Sequence, residues 1–80
     1  MAKASWIKFC DVGASPSGKT RRWEVRAIEG SAQLGIVQWR AGWRCYCFEP
    51  VFQTVFEHDC LRVIANFLEA ETKAHKEKSA

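Results

Sequence analysis

The chain has 80 residues, of which 48% are hydrophobic and 26% charged, and its formal net charge is +3. This length predicts one domain with a small core, and it excludes enzymes that need a large parallel sheet to position a nucleotide. Four Trp, five Phe and one Tyr supply enough apolar surface for a stable monomer without a metal or a disulfide.

Basic residues are concentrated in the first part of the chain. Residues 1–44 contain eight Lys or Arg and three Asp or Glu, whereas residues 45–80 contain four and six. This distribution allows an acidic protein or a nucleic acid as a partner, but it lacks the positive excess of a dedicated DNA-binding protein. No secretory signal or membrane-spanning run is recognised, so we expect a cytoplasmic protein with reduced cysteines and no membrane partner.

The pattern of apolar residues predicts an α+β fold within a single domain, 1–80. It consists of a small antiparallel sheet of three to four strands with one C-terminal amphipathic helix packed on one face. Residues 1–18 are expected to form a strand (5–10) and a flexible loop, and residues 19–49 the antiparallel strands. Trp23 and Val25 alternate with Glu24 and Arg26, which is the period of a half-buried strand.

A β-hairpin is predicted where the chain reads Trp39 to Pro50, with Gly42 supplying the positive φ of the turn. Both faces of the second strand, 44–48, are apolar. The register therefore stays open between two pairs that could face the helix: Tyr46 and Phe48, or Cys45 and Cys47.

The helix is predicted over 54–72. Thr54 and Glu57 fit a capping box at its start. Apolar residues then recur at helical spacing at Phe56, Cys60, Leu61, Ile64, Phe67 and Leu68. The polar residues 73–80 are expected to form a disordered tail.

Residues Gly13 to Thr20 match the phosphate-binding pattern G-x-x-x-x-G-K-[ST]. That pattern binds nucleotides when a helix follows it, whereas Arg21 to Ile28 alternates like a strand. We therefore interpret the segment as an ordinary loop, capable at most of weak contact with phosphate.

The cysteines and histidines do not form a recognisable reactive set. A four-cysteine zinc site would pair Cys45 and Cys47 with Cys10 and Cys60, but neither of the last two has a closely spaced partner. His58 and His75 have no nucleophile placed beside them. We therefore predict no catalytic residue, no metal and no cofactor, and a protein that is not an enzyme.

Arginine and tryptophan side chains are the candidate partner-binding residues. They are Arg26, Arg40, Trp43 and Arg44. If they share the open face of the sheet, they form a positive aromatic platform, which suits an acidic protein surface or single-stranded nucleic acid. The alternative is that the arginines only solvate the sheet face while the Trp residues fill the core.

The run from Leu34 to Pro50, with Thr54 to Phe56 and the helix positions Cys60, Leu61 and Ile64, resembles small proteins encoded by phages and prophages. Within these it is similar to anti-CRISPR proteins directed at type I systems, with type I-C as the candidate subtype. The resemblance implies stoichiometric binding to the host effector complex (Cascade) in the bacterial cell, blocking recognition of target DNA. No contact residue carries over from it.

The alternative function is a small nucleic-acid-binding phage accessory protein that uses the same basic face. We expect a monomer, with a homodimer left open, and the effector subunit and stoichiometry are not determined by the sequence.

Overall fold

Four strands and one helix follow one another along the chain, and the computed structural model describes residues 7–30 and 32–79. The elements are β1 (Ile7–Ala14), β2 (Arg21–Ala27), β3 (Gln33–Arg40), β4 (Cys45–Pro50) and α1 (His58–Ser79). The strands form one antiparallel sheet in the order β1-β2-β3-β4, so each strand pairs with its neighbour in sequence. The predicted fold class, a small antiparallel sheet with one C-terminal helix, is confirmed.

The core lies between one face of the sheet and α1. In β2, Trp23 and Val25 are buried, as the alternation predicts, while the side chains of Glu24 and Arg26 pair with each other on the open face. The buried apolar residues come from all four strands and the helix: Ile7, Trp23, Val25, Val37, Tyr46, Cys60 and Ile64.

Two buried aromatic rings, Trp23 and Tyr46, belong to this core, and the partly buried Phe9 and Phe67 pack against it. Phe67 of α1 stacks on Phe9 with ring centroids 3.9 Å apart, and it meets Trp23 edge-on at 5.1 Å. Tyr46 approaches the same Trp23 ring edge-on at 5.3 Å. Offset and edge-to-face pairs of this kind stabilise beyond the area they bury. Phe67 therefore joins α1 to β1 and β2, the two strands farthest from β4, the strand that precedes the helix.

The register of β4 places Tyr46 on the helix side. Its side chain is 5% exposed, and its hydroxyl accepts a hydrogen bond from the backbone N–H of Arg21 at 3.2 Å. Its own backbone N–H donates to Oγ1 of Thr72 at 3.0 Å. The helix therefore supplies a hydrogen-bond acceptor to one N–H of the edge strand β4. Side chains alternate along a strand, so Cys45 and Cys47 lie on the open face.

Close packing of β3 against β4 requires glycine at position 35. A Cβ atom on Gly35 would lie 2.5 Å from the ring of Phe48 and 2.6 Å from the carbonyl oxygen of Glu49. The second of these is backbone, which cannot move aside without breaking the strand pairing. Gly35 thus allows the Phe48 ring to cover the sheet.

The first strand is longer than the sequence predicted. It continues from Ile7 to Ala14, through an irregularity between Asp11 and Gly13. Oδ1 of Asp11 accepts the N–H of Gly13 at 2.8 Å, and Gly13 adopts φ 113°, so the bulge is stabilised locally and pairing resumes beyond it. Ser5 and Trp6 of the predicted strand lie outside the described residues.

The predicted positive φ at Gly42 is wrong. In the turn between β3 and β4, the residue with positive φ is Arg44, at 59°. The carbonyl of Arg40 accepts the N–H groups of both Trp43 (3.0 Å) and Arg44 (2.7 Å). A four-residue connection of this kind requires the left-handed conformation at its last residue rather than at its centre.

The helix starts later than predicted, and the capping box is wrong. The Thr54 hydroxyl donates to the carbonyl of Val51 at 2.8 Å. The cap is Glu57, whose carboxylate accepts the N–H of Cys60 at 2.6 Å and whose carbonyl accepts that of Leu61. At the other end, residues 73–79, expected to be a disordered tail, continue the helix to Ser79.

Candidate interaction surface

The turn between β3 and β4 carries the most exposed tryptophan among the described residues. Trp43 is 69% exposed, and the Arg40 guanidinium carbon lies 5.4 Å from the centre of its ring. That distance is within the range of a cation–π interaction. Arg44 follows in the same turn and is exposed. We call Arg40, Trp43 and Arg44 the turn surface.

Two of the arginines on the open face of the sheet are paired with glutamates. Arg26 contacts Glu24 at 2.6 Å, and Arg40 contacts Glu49 at 3.6 Å. Glu49 also accepts a hydrogen bond from Nε2 of Gln38 at 2.9 Å. The open face is therefore a mixed-charge surface rather than the uniformly positive platform that the sequence suggested.

The structure separates the predicted partner-binding residues into two places. Arg40, Trp43 and Arg44 lie together at the turn. Arg26 shares the open face with Arg40 but pairs with Gln33 at the opposite end of β3. Gln33 and Arg40 are seven positions apart along β3, which places Arg26 roughly 23 Å from the turn at about 3.3 Å per residue. One contact of modest size therefore reaches the turn surface without reaching Arg26.

Sequence reasoning missed an exposed apolar segment that follows β4. Phe52 is 86% exposed and Val55 is 88% exposed, and Gln53 between them has φ 66°. The backbone N–H of Val51 donates to the carbonyl of Leu34, which fixes the start of this segment beside β3. The available signal was the apolar composition of 51–56, which follows neither the alternation of the strand nor the spacing of the helix.

The segment that matches the phosphate-binding pattern is a hairpin loop between β1 and β2. Two of its N–H groups are already used, because that of Gly18 donates to the Ser15 carbonyl and that of Lys19 to the Ser17 hydroxyl. The strand predicted after Thr20 is confirmed. A backbone cradle for phosphate is absent from this loop, although Lys19 lines a polar cleft of about 290 Å³ with Tyr46 and His75.

The ionisable groups nearby have structural partners. Asp11 accepts two hydrogen bonds from the Arg21 guanidinium (2.8 and 3.2 Å). These bonds, with that from the Gly13 N–H, lower the pKa of Asp11 below its usual value, and the Asp11 carboxylate in turn raises the pKa of Arg21. The exposed ring of His58 lies 3.5 Å from Asp59.

The remaining candidate groups, His75 and the cysteines, do not form one shared site. His75 packs on Trp39 with ring centroids 4.5 Å apart, instead of lying in a free tail. The four cysteines are free thiols, and burial raises the pKa of Cys60. Over residues 7–30 and 32–79 there is no group of three or more His, Cys, Asp or Glu side chains able to hold a metal ion. The same part of the chain has no helix long and apolar enough to cross a lipid bilayer.

The fold and the exposed turn define a small α+β domain that presents a tryptophan and two arginines at one corner of a four-stranded sheet. No family model matches the chain, and no solved structure matches it. It is 32% identical over 53 residues to an uncharacterized 9.3 kDa protein of Acholeplasma phage L2, and the match covers 66% of this chain and 68% of the phage protein. The chain belongs to the same family as this phage protein. The expected relationship to small phage-encoded proteins is thereby confirmed.

Proposed function

We propose that this chain acts by stoichiometric binding to a host protein complex, with the turn surface as its contact. The observation that carries the proposal is the exposed Trp43 ring held beside the Arg40 guanidinium. Tryptophan and arginine are the residues most enriched among those that dominate binding energy at protein interfaces. The Arg40 guanidinium restricts the Trp43 ring, so the Trp43 side chain loses less conformational entropy when a partner binds it.

A protein partner fits this surface better than a nucleic acid does. Arg26 and Arg40 each contact a glutamate, so a phosphate backbone approaching the open face would also meet carboxylates. Arg44 forms no ion pair with any residue that the structure describes, which leaves its guanidinium able to bind a partner's carboxylate in a two-point contact. The predicted partner surface is therefore acidic, with an apolar recess for one indole ring.

The finer proposal is that the partner is a type I CRISPR effector complex. It rests on the resemblance of the Leu34 to Pro50 run, with Thr54 to Phe56 and the helix positions, to anti-CRISPR proteins. The family tie to a phage protein supports the phage origin alone. On this proposal the chain occupies a surface of the effector, blocks recognition of target DNA and catalyses no reaction. An interface of roughly 800 Å² per partner is within reach of a domain of this size.

The test is a binding measurement between the purified chain and purified type I effector complexes, with type I-C first. We expect the wild-type chain to bind and to prevent the effector from binding its target duplex. Trp43→Ala should weaken binding by about 2 kcal/mol, which corresponds to roughly thirtyfold in Kd. The double variant Arg40→Glu/Arg44→Glu should abolish binding.

The matched control is Arg62→Glu, a charge reversal on α1 at an exposed residue that contacts only Asp59 among its described ion-pair partners. It should bind like the wild type. Arg26→Glu then measures whether the interface extends along the open face. A wild-type chain that binds no type I effector contradicts the finer proposal. Full binding by the double variant, with its fold intact, contradicts the turn surface as the contact.

A nucleic-acid partner would give a different result in the same experiment. Binding to single-stranded DNA or RNA alone, falling by several powers of ten between about 50 and 200 mM salt, would favour the accessory-protein alternative.

A further inference from the structure

Two of the four thiols lie side by side on the open face of β4. Sγ of Cys45 and Sγ of Cys47 are 3.9 Å apart, and both residues are partly buried. Their positions follow from the register, because Cys45 pairs with Arg40 and Cys47 with Gln38, two residues that share the open face. The backbone of β4 therefore places both side chains on the same face, and their rotamers bring the two sulfurs together.

This separation matches the edge of a tetrahedral thiolate site. Zinc binds cysteine sulfur at about 2.3 Å, so two sulfurs of one tetrahedral zinc ion lie roughly 3.8 Å apart. We propose that Cys45 and Cys47 form a two-thiolate binding site for a soft divalent cation of the zinc and cadmium class. Chelation leaves the remaining coordination positions to water or to another exchangeable ligand.

The neighbouring groups limit the site to two protein ligands. Glu49 lies two residues further along the same face, but its carboxylate is held by Gln38 at 2.9 Å and by Arg40 at 3.6 Å. Cys10 shares the open face but lies on β1, three strands away at roughly 4.8 Å per strand. Cys60 is buried on the opposite side of the sheet, in the core. The site is therefore open and exchangeable, unlike a closed four-cysteine zinc site.

Binding of the cation must displace the thiol protons. Burial first, and then the hydrogen bond and charge of Cys45, raise the pKa of Cys47; Arg40 opposes this shift and Glu49 adds to it. Metal ions bind thiolates rather than thiols, so each bound cation releases protons to solvent.

The experiment is a cadmium titration of the full-length chain under reducing conditions, followed by the thiolate-to-cadmium charge-transfer absorption in the ultraviolet. We expect one cadmium ion per chain, displaced by excess zinc. Cys45→Ser and Cys47→Ser should each weaken binding by about a hundredfold, because the second sulfur acts at a high effective concentration. Cys10→Ser, which removes an open-face thiol outside the pair, should bind like the wild type.

Three results would overturn the proposal. The first is that Cys10→Ser weakens cadmium binding as much as Cys45→Ser and Cys47→Ser do. The second is that Cys45→Ser or Cys47→Ser binds cadmium with wild-type affinity. The third is that two chains share one cadmium ion. A second measurement does not depend on the variants folding: zinc added to the wild-type chain should shift the Cβ resonances of Cys45 and Cys47 and leave those of Cys10 and Cys60 in place. Shifts confined to Cys10 or Cys60 would also overturn it.

Discussion

Arg44 occupies a backbone conformation that costs an L-residue free energy. Its φ of 59° lies in the left-handed region, where Cβ crowds the neighbouring carbonyl oxygen. The hydrogen bond from its N–H to the Arg40 carbonyl, at 2.7 Å, fixes the residue there. A side chain retained at such a position is consistent with use of the guanidinium at the turn surface.

We expect Arg44→Gly to raise the free energy of unfolding by up to about 1 kcal/mol, because glycine has no Cβ to strain. Urea unfolding followed by circular dichroism measures this change. Ala41→Gly in the same turn is the matched control, since residue 41 has no positive φ, and it should be neutral or destabilising. Destabilisation by Arg44→Gly would show that the side chain contributes more than the strain it causes.

For β2, the side of the sheet on which each residue lies could be predicted from the sequence, but the buried face of β4 and the geometry of the turn before it could not. The alternation of Trp23 and Val25 with charged residues determines the buried face of β2 directly. In contrast, the positive φ of the turn could fall on Gly42 or on Arg44. Which residue adopts it depends on how many residues the strand register leaves between β3 and β4. No local pattern contains that number.

At the level of elements, the start of α1 is determined by a side chain at the last residue before the helix. Glu57 is well suited to this position because its carboxylate reaches the N–H of Cys60 and its negative charge faces the positive end of the helix dipole. Thr54 is the stronger capping residue by type. It bonds Val51 instead, because the chain turns at residues 51–54 before the helix begins.

Replacing Glu57 by alanine should therefore destabilise the protein by about 1 kcal/mol, the usual cost of losing a cap. Glu57→Gln retains an acceptor oxygen without the charge and should lose less. Thr54→Ala should also lose less, because its partner carbonyl lies outside the helix and is exposed to water. Thermal unfolding of the three variants gives the order. A larger loss of stability from Thr54→Ala than from Glu57→Ala would show that Thr54 caps the helix, as the sequence predicted.

The far end of α1 shows why composition alone underestimated the helix. Residues 73–79 are polar, which indicated a tail, but they are also good helix formers apart from His75 and Ser79. His75 packs on the Trp39 ring at 4.5 Å. That contact joins two residues 36 positions apart, so only the folded sheet reveals it.

For the whole molecule, the sequence predicted the two layers, but not the mixed charge of the open face or the separation of the candidate residues into two places. Arg40, Trp43 and Arg44 are exposed together at the turn, whereas Arg26 is separated from them along the strand direction. The exposed Phe52 and Val55 were not predicted as a surface feature at all. Such placements depend on which strand ends meet, which is a property of the assembled sheet.

The contrast between two phenylalanines tests this picture of the whole fold. Phe67 joins α1 to β1 and β2 through Phe9 and Trp23, whereas Phe52 is 86% exposed. Phe67→Ala should cost about 2–4 kcal/mol, because the ring contacts Phe9 and Trp23 but is only partly buried. An 80-residue domain has only about 4–12 kcal/mol of stability in total, so this loss is a large fraction of it and should clearly lower the denaturant midpoint.

Phe52→Ala is the matched control and should change the free energy of unfolding by less than about 0.5 kcal/mol, because its ring leaves water only slightly on folding. Denaturant unfolding followed by tryptophan fluorescence compares the two variants with the wild type. Phe67→Leu should recover much of the loss, because it refills most of the space between Phe9 and Trp23. Equal losses at positions 52 and 67 would mean that the exposed segment packs against the protein in solution, and that the apolar surface assigned to it is wrong.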